Sequence, residues 1–317
     1  MSNYNRPWKS RADQLALLQS RGLDITNKAA AEDYLSKIGY YRLSGYWYPY
    51  RFMVSCGNTT RAMDVFSEGA RFEDAVNLYV FDKKLRLLAM DALERIEVAV
   101  RVEIAHRLGK NDKFGHINAN LLDQRFVVPH NRRAPSHASW LQRYNELVRR
   151  SKEDFIKHYR QKHGFPLPVW VAIEIWDFGT MSIFYSGMKG ADRDAIAHKF
   201  NVPDGRYLSS WLRSMNYLRN LCAHHSRLWN RNIIDQPTLP NGALAGDLQH
   251  VSSPQLVARP FTLFCLLQRM MREICPNSQW QERFKAHLAA FPTDQNGRCN
   301  LKQMGCPDNW ENWQLWK

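Results

Sequence analysis

The stretch "FDKKLRLLAMDALERIEVAVRVEIAHRLG", residues 81–109, constrains the fold more than any other part of the chain. Leu88, Ala92, Ile96, Val100 and Ile104 recur every four residues, and Leu85 and Leu93 widen the same stripe. That is the spacing of one helical face, not of a strand. Asp91→Arg95, Glu97→Arg101 and Glu103→Arg107 each place an acid four residues before a base, the orientation that favours a helix. Gly109 supplies a stop. A helix this long, apolar along one side, must be covered by other elements, so a core has to form around it.

The other periodic segments have the same character. Helical spacing predicts further helices at 10–20, 29–37, 72–79, 138–162, 169–186, 190–200, 206–228, 255–274 and 279–290. No alternating pair of segments is joined by an Asn-Gly or Asp-Gly turn. The expected class is therefore all-α, a helical bundle with additional N-terminal and C-terminal helical elements. Residues 110–137 are polar, basic and interrupted by Pro129 and Pro135, which predicts a loop or mobile insertion. The tail after 292 is expected to be loosely structured despite its three tryptophans. With 317 residues the chain divides into a helical domain over 1–235 and a helical extension and tail over 236–317, expected to pack on the same domain.

Composition narrows the class of partner. At 44% hydrophobic and 12% aromatic the chain can build a core, which excludes a disordered protein. A net charge of +14 attracts polyanions, of which RNA and DNA are the usual ones. The six cysteines contain no CxxC pair, which argues against a zinc or disulfide framework and fits a reducing cytoplasm. "MSNYNRPWKSRADQLALLQSRG" lacks the apolar run of a signal peptide, and no run of 18 apolar residues predicts a membrane span.

One short stretch concentrates polar chemistry. "RNLCAHHSRLWNR", residues 219–231, holds three arginines, two histidines, two asparagines and a tryptophan. Arg-x4–6-His spacing alone does not single it out. Six such pairs occur: 101/106, 125/130, 132/137, 193/198, 219/224 and 219/225. Context does. Asn220 and His224 stand i,i+4 on one helical face and Arg219 flanks them, so a cation, an amide and an imidazole converge in a way that suits a phosphate. Arg227 and Arg231 extend the positive surface by one and two helical turns. Arg101, by contrast, has Glu97 as an i,i+4 partner and His106 sits where the helix is ending, so the 101/106 pair is expected to be structural.

A second block, Tyr40, Tyr41, Arg42, Tyr46, Trp47, Tyr48 and Tyr50, interleaves aromatic and basic groups in a way that suits base stacking with phosphate contact. Most of its rings are expected in the core, with Arg42 and Tyr46 exposed as RNA contacts. Glu174 lies in the apolar run "VWVAIEIWDFG", where a carboxylate needs a partner. It is expected to anchor a basic group, Arg219 or Arg95.

"YLRNLCAHHSRLWNR" resembles the signature of the Abi-like proteins, a bacterial family named for abortive infection and phage resistance, and "RNLCAH" within it is similar to the R-N-x3-H motif of the wider HEPN superfamily of helical RNA-acting proteins. "IGYYRLSGYWYPYR" (38–51), "FDKKLRLLAMDALERIEVAVR" (81–101) and "PLPVWVAIEIWDFGTMSIFYSGM" (166–188) resemble the same family, in order, over residues from about 9 to 235. Glu94 and Arg95 belong to the second of these blocks. The resemblance implies a HEPN-like bundle, RNA as substrate, a small RNA as a plausible antitoxin partner, and a homodimer in which two motifs face each other.

The residues fit that chemistry. RNA carries its own nucleophile, the ribose 2′-hydroxyl, so cleavage requires proton transfer and charge stabilisation and implies no cofactor and no metal. Histidine, with an ordinary pKa of ~6.5, can serve either proton role near neutrality. Arginine stays charged and presents a planar fork to phosphate oxygens. Arg219, Asn220 and His224 are the expected catalytic residues. His225 points about 100° around the helix from His224 and is expected in a supporting or RNA-contacting role. A non-cleaving RNA-binding module is the alternative.

Overall fold

The computed structural model describes residues 7–57, 59–128 and 135–317. Its axis is a single helix, Phe72–Gly109, of 38 residues and about 57 Å. The segments expected separately at 72–79 and 81–109 are continuous, since nothing between Tyr79 and Phe81 breaks the backbone pattern. Leu85, Ala89, Ala92, Ile96, Val100, Ile104 and Leu108 are fully buried along it, and Leu88 is partly so. Each large apolar side chain buried this way contributes about 1.5–3 kcal/mol relative to exposure.

The rest of the chain wraps this helix. Arg11–Ser20 starts with a capping box between Ser10 and Asp13, and Lys28–Lys37 starts with Asn27 accepting from the Ala30 N–H. Tyr40–Trp47 then packs directly on the long helix. An antiparallel hairpin follows, β1 (Arg51–Cys56) and β2 (Thr59–Phe66), with a bulge between Arg51 and Met53. The all-α expectation holds for the body of the protein but missed this hairpin. Its turn runs through Gly57 at φ +59°, and its strands are mostly exposed, so they lack the apolar alternation that marks a strand.

Three predicted helices are broken, and the simplest case is 255–274, which divides into Pro254–Val257 and Pro260–Ile274. The segment 138–162 divides into His137–Arg150 and Asp154–His163, because Ser151 turns extended and Glu153 begins a new helix. The segment 169–186 divides into Val169–Ala172, a 3-10 turn at Ile173–Ile175 and Phe178–Ser186, with Asp177 capping the last by accepting from the Thr180 N–H at 2.8 Å. Gly190–Lys199, Gly205–Ala223, Pro254–Val257, Pro260–Ile274 and Trp280–Ala289 complete the helical set. Glu103 and Arg107 do not pair with each other. Lys199 and Asp192, both on Gly190–Lys199, take them instead.

The expected loop at 110–137 is more ordered than its composition suggests: His116 is fully buried against Trp140, Tyr144 and Trp176, and Gln124–Val127 is a helical turn. Pro129, His130 and Arg132 lie outside the described residues. The tail is also packed, contrary to expectation. Trp310 and Trp316 are buried against Phe261 and Phe284, and Asp247 accepts from the Leu315 N–H at 2.6 Å. Trp280 ties the C-terminal segment to the long helix by donating to Leu88 O at 2.8 Å. Among the described residues no helix is long and apolar enough to cross a membrane.

Candidate functional site

The R-N-x3-H residues sit at the end of the helix Gly205–Ala223. Asp204 caps its start by accepting from the N–H groups of Arg206 and Tyr207. Leu208, Trp211, Leu212, Met215, Leu218 and Cys222 repeat at three- and four-residue intervals and bury one face against the long helix and its neighbours. The opposite face leaves Arg213, Asn220 and His224 exposed, with Arg219 half-buried beside them.

The helix does not run to 228 as its spacing predicts. It ends at Ala223, and His224 is its cap, with φ −86° and its N–H donating to Asn220 O at 3.0 Å. His225 adopts a left-handed backbone, φ +54°. Its N–H donates to Cys222 O, and the Ser226 N–H reaches back to Leu221 O at 2.9 Å. This pair of bonds is a Schellman stop, usually made with glycine at the left-handed position. A histidine there carries a strain of roughly 1–2 kcal/mol, so surrounding contacts must hold it.

Those contacts come from far away in sequence. Asp82, fully buried on the long helix, accepts from the N–H groups of Leu228 (3.1 Å) and Trp229 (2.6 Å), from the Tyr46 hydroxyl (2.6 Å) and from Arg86. Arg86, 4% exposed, also donates to Ser226 O at 3.2 Å. Arg42 donates to His225 O at 2.6 Å, and Arg227 donates to Gly45 O. Burial pushes the Asp82 carboxyl up, while Arg86, Tyr46 and the two backbone donors oppose the shift. The turn that carries both histidines is thus clamped from residues 42–86.

Several sequence expectations change accordingly. Tyr46 is not an exposed RNA contact. It is 2% exposed, because its hydroxyl serves Asp82 and its ring packs on Tyr79. Arg227 and Arg231 do not continue the helical face, since the helix has already stopped; both are half-buried in the segment that follows. Arg42 is exposed, with one donor committed to the turn. Glu174 anchors neither Arg219 nor Arg95. The break after Ala172 turns it outward, beside His106 and Trp170 in an open hollow. Arg95 pairs with Asp91 and donates to Ser278 Oγ at 2.9 Å, and it lies about 200° around the helix from Glu97. Glu94 is exposed on the long helix.

The acid that neighbours Arg219 is Glu97. Its carboxyl is pushed up by burial, opposed by the charges of Arg101 and Arg219. Glu97 is held by Arg101, whose guanidinium also donates to Trp176 O. Sequence spacing placed Glu97 and Arg101 as an i,i+4 pair, and it is formed, but spacing could not show that it lies against Arg219. Arg219 itself donates to Asn220 Oδ1 at 3.3 Å, which leaves most of its donors uncommitted. Among the described residues the rings of His224 and His225 make no hydrogen bond, and both residues are exposed. Cys222 points inward instead, 4% exposed, with its thiol pushed up to about 12 by burial. No group of three or more His, Cys, Asp or Glu among the described residues is placed to hold a metal ion.

The chain therefore presents, at a clamped helix end, a partly free guanidinium, an amide bonded to it and a free imidazole one turn on. Comparison with known proteins matches residues 33–230 to the family described as Abi-like protein, which is linked to abortive infection. No curated protein and no solved structure matches the chain.

Proposed function

The chain belongs to the Abi-like family, and we propose that it is a HEPN-type, metal-independent endoribonuclease of a bacterial abortive-infection or toxin–antitoxin system. The observation that carries this is the free imidazole of His224 on a clamped turn beside the partly uncommitted guanidinium of Arg219. A merely structural helix end has no need of an exposed imidazole beside a guanidinium with donors to spare on so basic a chain.

The chemistry runs through the substrate's own 2′-hydroxyl. A base takes its proton, the oxygen attacks the adjacent phosphorus, and the 5′-oxygen leaves with a proton from an acid. The products are a 2′,3′-cyclic phosphate and a 5′-hydroxyl. His224 is one proton carrier, Arg219 stabilises the charge on the phosphorane, and Asn220 orients the pair. A second carrier comes from the same motif of a second copy, so the active form is a homodimer with the two helix ends facing each other. His225 contacts RNA from the left-handed position.

Incubating the protein with RNA in EDTA and mapping the ends tests this. Cleavage should persist, and 2′-deoxyribose at the scissile position should abolish it while leaving binding intact. A metal requirement or 3′-hydroxyl products would overturn the mechanism. A non-cleaving RNA clamp is the second reading, which the chain's net charge of +14 supports equally well. Tight binding of intact RNA without cleavage would select it.

A further inference from the structure

A strongly positive feature outside the candidate site is the segment 143–165, which holds seven Lys or Arg against three Asp or Glu, a net +4 of the chain's +14. Arg143 is paired with Asp177 and Glu146, and Lys157 with Asp154. Arg149, Arg150, Lys152, Arg160 and Lys162 are exposed and meet no carboxylate among the described residues. The helix Asp154–His163 projects from the body with Ile156 as its one buried residue among those described. Its sequence is built to stay in solvent, and its charge is too one-sided for a helix stabilised by its own pairs.

Between this helix and His137–Arg150 lies an open groove of about 740 Å³, lined by Tyr144, Asn145, Arg149, Arg160 and Phe165 among others. That volume is within the roughly 300–1,000 Å³ of sites that take small organic groups, ample for a nucleobase and its sugar. Phe165 is 52% exposed, and the Arg160 guanidinium lies 4.4 Å from its ring centroid. An exposed aromatic ring with one guanidinium over it and a second cation, Arg149, lining the same groove is the composition of a stacking platform for single strands. An acidic protein face would meet the cations equally well but would make no use of the exposed part of the phenyl ring.

We propose that this groove binds single-stranded RNA, with an unpaired base stacked on Phe165 and the flanking phosphates held by Arg149 and Arg160. The choice of RNA rests on the ribonuclease function proposed above. The groove's helix His137–Arg150 is joined to the helix of the candidate site through one intermediate helix. Arg143, on another flank of the same helix, donates to Asp177 at 2.8 Å. Asp177 caps Phe178–Ser186, where a side chain at Gly179 would touch Asn216, one turn before Arg219. The helix that walls the groove is thus linked to the helix of Arg219 through Asp177 and the start of Phe178–Ser186. The groove is an entry track for unpaired RNA.

The test uses the full chain carrying His224→Ala, so that bound RNA is not cut, and fluorescence anisotropy with a labelled single-stranded RNA, its duplex and poly-glutamate as competitor. Phe165→Ala should weaken single-strand binding about tenfold and leave duplex binding nearly unchanged. Arg149→Ala and Arg160→Ala should each lower the slope of log affinity against log salt by about 0.7. A single strand carrying 5-iodouridine should photocross-link to the peptide containing Phe165. In otherwise wild-type protein Phe165→Ala should raise KM for cleavage and leave kcat unchanged. Unaltered RNA binding by all three variants would overturn the groove assignment while leaving the nuclease standing if the wild type still cuts RNA. Equal, Phe165-independent competition by poly-glutamate would mark the groove as a docking face for acidic protein. A wild-type chain that binds no RNA would remove both proposals together.

Discussion

Asp82→Ala should be among the most destabilising single changes available in this protein. Asp82 is fully buried and Arg86 is 4% exposed, so deletion of the carboxylate leaves a guanidinium charge without its counter-ion. Removing one partner of a buried ion pair costs about 3–5 kcal/mol. The N–H groups of Leu228 and Trp229 and the hydroxyl of Tyr46 lose their acceptor as well, although these penalties overlap and do not simply add. A loss of about 4 kcal/mol, set against the roughly 5–15 kcal/mol of a typical domain, should be plain in urea or thermal unfolding. Asp82→Asn keeps an acceptor for the backbone groups and should cost less. Asp82→Leu with Arg86→Met removes both charges together and should recover much of the loss, since well-packed apolar replacements of buried pairs are often neutral. A loss below 1 kcal/mol for Asp82→Ala, or strict additivity of Asp82→Ala and Arg86→Ala, would refute the view that this pair clamps the histidine-bearing turn.

Two further outcomes follow from the site and the core. His224→Ala and Arg219→Ala should each lower RNA cleavage by about 100-fold or more with little change in Tm, because neither side chain supports the fold; mixing the two proteins should restore part of the activity if each site draws on two chains, and no restoration from a confirmed mixed dimer would count against the composite site. Stability should fall as pH drops from about 6.5 towards 4, because His116 is held down to about 4 by burial and by neighbouring His137, and His287 to about 4 chiefly by burial. The unfolded chain takes up these protons first, so the stability is fully present above the ordinary histidine pKa and lost below it. The His116 share is about 3 kcal/mol, and His116→Phe should flatten the unfolding free energy against pH, an unchanged slope being the contrary result.

What the sequence reveals and what it hides follow from how local each feature is. The long helix was legible because its period is written in every four residues, and Arg219 and Asn220 were placed on a helix for the same reason. The stop at Ala223 was not legible, because it is set by Asp82 from about 145 positions away and because a histidine occupies the place where glycine would have announced it. Glu174 misled through the same kind of locality: its apolar neighbours implied burial, and only the break before Trp176 turned it to solvent. The long helix makes the point within itself. Asp82–Arg86, Asp91–Arg95 and Glu97–Arg101 share one spacing and one orientation, and all three pairs form. They do different things because burial differs. The first, with 0% and 5% of its side chains exposed, clamps the turn that carries His224 and His225. The second, at 28% and 35%, joins the helix to Ser278, and the third, at 19% and 16%, lies against Arg219. An acid four residues before a base guarantees only that the two can meet; its role is decided by which chain segment comes to lie over the pair, and that is a property of the whole fold.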